Sequence, residues 1–131
     1  MDTDSLSAAE RFCAAIREAA YEIRGSVARQ GGKRPDPDSF WAGALDALGI
    51  LKPAWQRAGT DANRDVTEGA SDAERERARA ERFAAVLPVL VDQTEQSADA
   101  SSRPAAYRHG VRWVVGHLRY VMHAESRPMA D

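Results

Sequence analysis

The chain has one cysteine, Cys13, in 131 residues. No intrachain disulfide and no cysteine metal cluster can form, which fits a reducing compartment. No apolar run approaches the ~20 residues that a membrane helix needs, so no membrane span is expected. The opening Met1-Asp2-Thr3-Asp4 is acidic and lacks an apolar core segment. A secretory signal is therefore not expected, and the cytoplasm is the expected location. Sustained period-two alternation is missing, as are Asn-Gly and Asp-Gly turn pairs, which removes the signals of hairpins and sheets. Gly31-Gly32-Lys33 lacks the spacing of a phosphate-binding loop. His109, His117 and His123 are eight and six residues apart, and neither step is the i,i+4 pair of a helical zinc site. Asp61 and Asp65 lack the glycine and terminal glutamate of a calcium loop. With no convergent polar site in view, the expectation is a protein without metal, cofactor or catalysis.

What remains is a pattern of helices. The apolar share of 44% and the charged share of 29% suit one globular domain with one core. Ser7 and Glu10 form a capping box, followed by Phe12, Ile16, Ala19, Ala20, Ile23 and Val27 at helical spacing. This helix is expected to stop by Gln30, with a turn-rich connector from Gly31 to Pro37. A second helix is expected to start near Asp36 or Asp38, with Pro37 in its first turn and Phe40, Trp41, Ala44, Leu45 and Leu48 on its apolar side. Gly49 and Pro53 predict a break and then a short helix carrying Trp55. Residues 59–70 are polar and read as a long flexible loop.

Ser71 and Glu74 form a second capping box, opening a charged, alanine-rich helix that turns apolar after Arg82. Pro88 is expected to kink or divide it. Gln93 to Ser102 reads as a polar exit and loop, after which Ser101 or Ser102 caps the last helix with Pro104 near its first turn. The expected fold is all-α, a single domain over 1–131 built as a compact bundle of four main helices plus one short helix.

The last helix carries an unusual charge. From Arg103 to Arg127 there are five arginines and three histidines against one acid, Glu125, in a chain of formal charge -2. Tyr107, Val111, Val114, Leu118, Val121 and Met122 make its apolar face. Arg108, Arg112 and Arg119 fall within about 40° of one another on the opposite side, with His123 beside them. The steps along the axis are about 6 Å and about 10 Å, close to phosphate spacing along an extended single strand. Guanidinium forks bind phosphate, and the flanking Trp113 and Tyr120 are candidate stacking rings. The alternative is that acids of a neighbouring element, such as Glu18, Glu22, Asp46 or Glu81, pair with the stripe. A smaller cationic face, Arg17, Tyr21 and Arg24 at i, i+4 and i+7, lies on the first helix, and Lys33 and Arg34 in the connector extend it if the two helices pack side by side.

Two family resemblances follow. Arg112 with His117, and Arg103 with His109, resemble the arginine–histidine motif of HEPN ribonucleases, which implies action on an RNA phosphate. Trp113 stands where that family usually has a polar residue, and Arg112 and His117 lie about 140° apart on an ideal helix. The overall build, with the apolar helix Phe83 to Val91 and the closing helix Tyr107 to His123, resembles the small helical subunits of CRISPR ribonucleoprotein effector complexes. That resemblance implies a non-catalytic subunit, several copies stacked with other protein subunits, and a single-stranded nucleic-acid backbone held by Arg108, Arg112 and Arg119, with Arg17 and Arg24 next. The rival expectation is a protein-binding module of a phage or defence system that meets an acidic protein partner.

Overall fold

The computed structural model describes residues 7–31 and 33–126. Met1–Asp4, Gly32 and Arg127, which entered the sequence reading, lie outside them. Five helices follow in order: α1 (Ala8–Gly31), α2 (Pro37–Leu48), α3 (Leu51–Asp65), α4 (Asp72–Ala100) and α5 (Ala105–Ser126). Among the described residues there is no strand. The all-α expectation therefore holds.

Both capping boxes form. The Ser7 amide donates to Glu10 Oε1 at 3.0 Å and the Glu10 amide to Ser7 Oγ at 3.1 Å. Ser71 and Glu74 repeat the exchange at 2.9 and 3.1 Å. Asp36 caps α2, with Pro37 at its first position. Each side-chain acceptor satisfies an amide that has no partner within the helix.

Four boundaries differ from the sequence reading. The supposed short helix at Trp55 is a full α3, and most of the supposed loop over 59–70 is its second half. Ala54, Ala58 and Ala62 explain this: they are buried at four-residue intervals on the face toward α4. Alanine leaves only a weak hydrophobic signal in the sequence but permits close helix approach. Only the segment from Val66 to Ser71 separates α3 from α4, and Gly69 there has φ +90, a conformation suited to glycine. Pro53 falls in the first turn of α3, where its missing amide is not needed. Gly49 and Ile50 stay in the right-handed region, so α2 and α3 meet at a bend rather than a loop.

Pro88 does not divide α4. It is solvent-exposed, so water can reach the carbonyl it leaves unpaired, while Leu87 and Val91 beside it are fully buried and hold the helix to the core. Residues 93–100 are helix, not an exit loop, and Ala98 is buried there. Ser101 accordingly works at the end of α4, donating to the Ala98 carbonyl at 2.7 Å, instead of capping α5. The first turn of α5 is received by the Pro104 carbonyl, which accepts from the amides of Tyr107 and Arg108.

α5 sits in the middle, packed on α2, α1 and α4. Its closest neighbour is α2. A Cβ built on Gly43 would lie 2.0 Å from the Tyr107 carbonyl oxygen, and one on Gly110 would lie 2.2 Å from that of Phe40. The two backbones therefore touch where both residues lack a side chain. Around that crossing Phe40, Val111, Val114, Val115 and Leu118 are fully or almost fully buried, each contributing roughly 1.5–3 kcal/mol of transfer free energy. Trp113 closes one side, edge-on to Phe40 at 6.0 Å.

Gly110→Ala is predicted to lower stability by about 1–3 kcal/mol, because overpacking outweighs the helix-propensity gain of about 1 kcal/mol. Gly116, in the same helix, has nothing within 4 Å of an added Cβ. Gly116→Ala should raise stability by about 0.5–1 kcal/mol. Urea unfolding of the two variants checks this, and equal effects would count against the crossing.

Candidate docking groove and the basic helix

The arginine stripe of α5 runs beside the C-terminal half of α4. Arg112 donates to Asp99 Oδ1 through Nε at 3.1 Å and Nη2 at 2.7 Å. Arg119 bridges Asp92 at 2.7 Å and Glu95 at 2.8 Å. The antiparallel register explains the match. Asp92 to Asp99 and Arg112 to Arg119 are both seven-residue steps, each about 10 Å of helix. Two carboxylates hold the Arg119 guanidinium charged, its pKa raised first by the Asp92 hydrogen bond and then by that of Glu95. The pairs are partly exposed, so each adds about 1 kcal/mol or less.

These partners differ from those the sequence suggested. Glu18, Glu22 and Glu81 form no ion pair with the stripe. Asp46 instead accepts a 2.5 Å hydrogen bond from the Tyr107 hydroxyl, which with burial raises the Tyr107 pKa. The actual partners were hidden because residues 93–102 read as loop. Once α4 continues to Ala100, Asp92, Glu95 and Asp99 fall at i, i+3 and i+7 on one face.

The other residues of α5 separate. Arg108 is half-buried, His109 and His123 are exposed, and none of the three forms an ion pair among the described residues. Tyr120 is 77% exposed. Trp113, expected on the same flank, is half-buried, with Phe40 against it and the His117 ring at 4.3 Å. His117 Nδ1 lies 2.8 Å from the Trp113 carbonyl oxygen, the backbone partner expected for it, although its side chain is exposed. Arg112 and His117 are thus engaged with different partners on different sides of α5.

A second arrangement was not visible in the sequence. α3 turns away from α1 at the Gly49–Ile50 bend and packs on α4. Between α1 and the start of α3 this leaves an open groove of about 640 Å³. Its α1 wall carries Arg17, Ala20, Tyr21 and Arg24, and its far wall carries Leu48, Leu51, Lys52 and Pro53. Ile16, Trp55 and Phe83 form the apolar floor. No Asp or Glu is among the lining residues, and none comes from α5. The structure therefore brings Arg17 and Arg24 together with Lys52, not with the α5 stripe. In the connector, Lys33 is exposed, while Arg34 is half-buried with its guanidinium 3.9 Å over the Phe40 ring.

Within the groove, Trp55 is fixed from several sides. The Arg79 guanidinium lies 4.3 Å from its ring centroid and that of Arg17 5.9 Å, with Phe83 edge-on at 5.4 Å. Arg79 Nε also donates to the Trp55 carbonyl at 3.0 Å. Tyr21, by contrast, is 81% exposed between Arg17 and Arg24. Cys13 reaches the groove wall but is buried, and its thiol donates to the Ala80 carbonyl at 3.6 Å. Burial pushes its pKa up to about 11.

Among the described residues no group of His, Cys, Asp and Glu could hold a metal ion. No helix among them is long and apolar enough to cross a membrane. Comparison with protein-family models, with curated proteins and with solved structures returns no match to this chain.

Arg112→Glu with Arg119→Glu should destabilise the fold by roughly 1–2 kcal/mol, since it replaces three ion pairs by repulsion from α4. Arg17→Glu with Arg24→Glu should stay within about 0.5 kcal/mol; thermal unfolding of both pairs tests the contrast. Cys13 should resist alkylation at pH 8 in the folded protein and react once unfolded. Its thiol keeps its proton to a higher pH when folded, so its contribution to stability is complete below the ordinary thiol value and is lost as pH rises towards about 11.

Proposed function

We propose that this chain is a non-catalytic docking subunit that takes an acidic protein partner in the groove between α1 and α3. The observation that carries this reading is the composition of the groove walls: three cations, Arg17, Arg24 and Lys52, around an apolar floor, with no carboxylate among the lining residues. A groove of one charge sign focuses potential and draws an oppositely charged partner. The stripe on α5 is a weaker candidate, because Asp92, Glu95 and Asp99 stand beside it. A bound phosphate there has to compete with three carboxylates. Its ion pairs instead serve to hold α5 on α4.

A second reading has an observation in its favour. Tyr21 is 81% exposed between two arginines of its own helix, an arrangement that suits one stacked base with a phosphate on either side. In that reading the chain is a small subunit of a ribonucleoprotein assembly with a local basic face, as the CRISPR-like build implies. Arg108 and Lys33 then supply further backbone contacts.

The two readings separate by fluorescence anisotropy at 50 and 200 mM salt, using labelled poly-glutamate and labelled dT20. The docking reading predicts that poly-glutamate binds, and that Arg17→Glu with Arg24→Glu removes binding. The nucleic-acid reading predicts tighter dT20 binding with a log–log salt slope near 0.7 per phosphate contact. Binding of neither probe at low salt would overturn both.

A further inference from the structure

The groove's own dimensions say more about what fits it. Arg17 and Arg24 stand on one wall, about 10 Å apart along α1, and Lys52 faces them from α3. One carboxylate cannot satisfy cations spread over that length and on both sides. The occupant has to carry several acids in a line, flanking an apolar strip. The apolar lining of the walls and floor decides what that strip is. Ile16, Ala20, Leu48 and Leu51 are aliphatic or small, and they offer no side-chain donor or acceptor to read a base edge. Trp55 is not open for base stacking, because the guanidiniums of Arg79 and Arg17 lie over its ring. Aliphatic side chains fit such a floor better than bases do.

Resting on the docking reading above, we propose that the groove receives an amphipathic α-helix with acidic flanks, inserting aliphatic side chains over the partly exposed Leu51 and Ala20. A helix presents residues i, i+3, i+4 and i+7 as one apolar strip about 10 Å long, the same length as the arginine pair. Acids beside that strip meet Arg17 and Arg24 on one side and Lys52 on the other. Tyr21 lies between the arginines with room for its ring to cover one edge of the incoming helix. Aromatic and arginine side chains of this kind commonly dominate binding energy at interfaces.

The probe is a labelled 18-residue peptide with Leu at i, i+3, i+4 and i+7 and Glu on both flanks. Its control replaces two central residues by Pro, keeping charge but breaking the helix. The proposal expects the helical peptide to bind at least about ten-fold more tightly than the Pro control. Arg17→Glu with Arg24→Glu should weaken it by about ten-fold or more. Leu51→Ala should weaken the helical peptide and leave poly-glutamate unchanged. Leu51 is only partly buried, so the fold should survive, and circular dichroism checks that it does.

If helical peptide, Pro control and poly-glutamate bind alike, the helix inference falls while the acidic-docking reading stands. If dT20 displaces the helical peptide at lower concentration than unlabelled peptide does, the inference falls in favour of nucleic acid. If no acidic probe binds, both the inference and the reading beneath it are overturned.

Discussion

The contact of α2 with α5 through Gly43 and Gly110 governs the rest of the fold. Each glycine lies where a methyl group would strike the other helix's backbone. Their absence of side chains lets the two axes approach closely enough for Phe40 and Val114 to become fully buried. With α5 fixed against α2, its remaining sides are assigned. One meets α1, another meets α4 in antiparallel register, and the outer one carries Tyr120 and the exposed histidines. The bend at Gly49 then sets the direction of α3, and that direction opens the groove.

The electrostatics divide along the same lines. The chain has sixteen arginines and two lysines against twenty acids, for a formal charge of -2. Arg112, Arg119, Arg82 and Arg77 pair across helices with Asp99, Asp92 and Glu95, Asp65, and Glu10 respectively. Such exposed pairs align helices more than they stabilise them. The groove cations are placed otherwise. Glu18 and Glu22 on α1 are one residue round from Arg17 and Tyr21, hence about 100° away. Neither acid forms an ion pair with Arg17 or Arg24 among the described residues.

Much of the fold could be read from the sequence, because capping boxes and long apolar stripes act locally. Ser7 with Glu10 and Ser71 with Glu74 mark helix starts whatever packs on them later. Elements held by small residues or by partners far along the chain were harder to see. The α3 face of Ala54, Ala58 and Ala62 has little hydrophobic contrast, and residues 93–100 are held helical partly by arginines on another helix. The same limit applied to the site. Arg17, Tyr21 and Arg24 were legible as one face of α1, but Lys52, Leu51 and Trp55 join them only through the bend after Leu48. The prominent basic segment of α5 misled for a related reason: its counter-charges lie on a stretch whose helicity was not apparent.

The groove proposal depends on one contrast: Arg17, Arg24 and Lys52 form no ion pair among the described residues, whereas Arg112 and Arg119 are engaged by acids of α4. NMR chemical-shift mapping with an unlabelled acidic amphipathic peptide tests it most directly, with backbone amides and arginine side chains observed together. The account predicts that shifts concentrate at Arg17, Tyr21, Arg24, Lys52 and Trp55, while the Nε–H signals of Arg112 and Arg119 stay in place. Shifts concentrated between Arg108 and His123, with the groove residues unmoved, would contradict it.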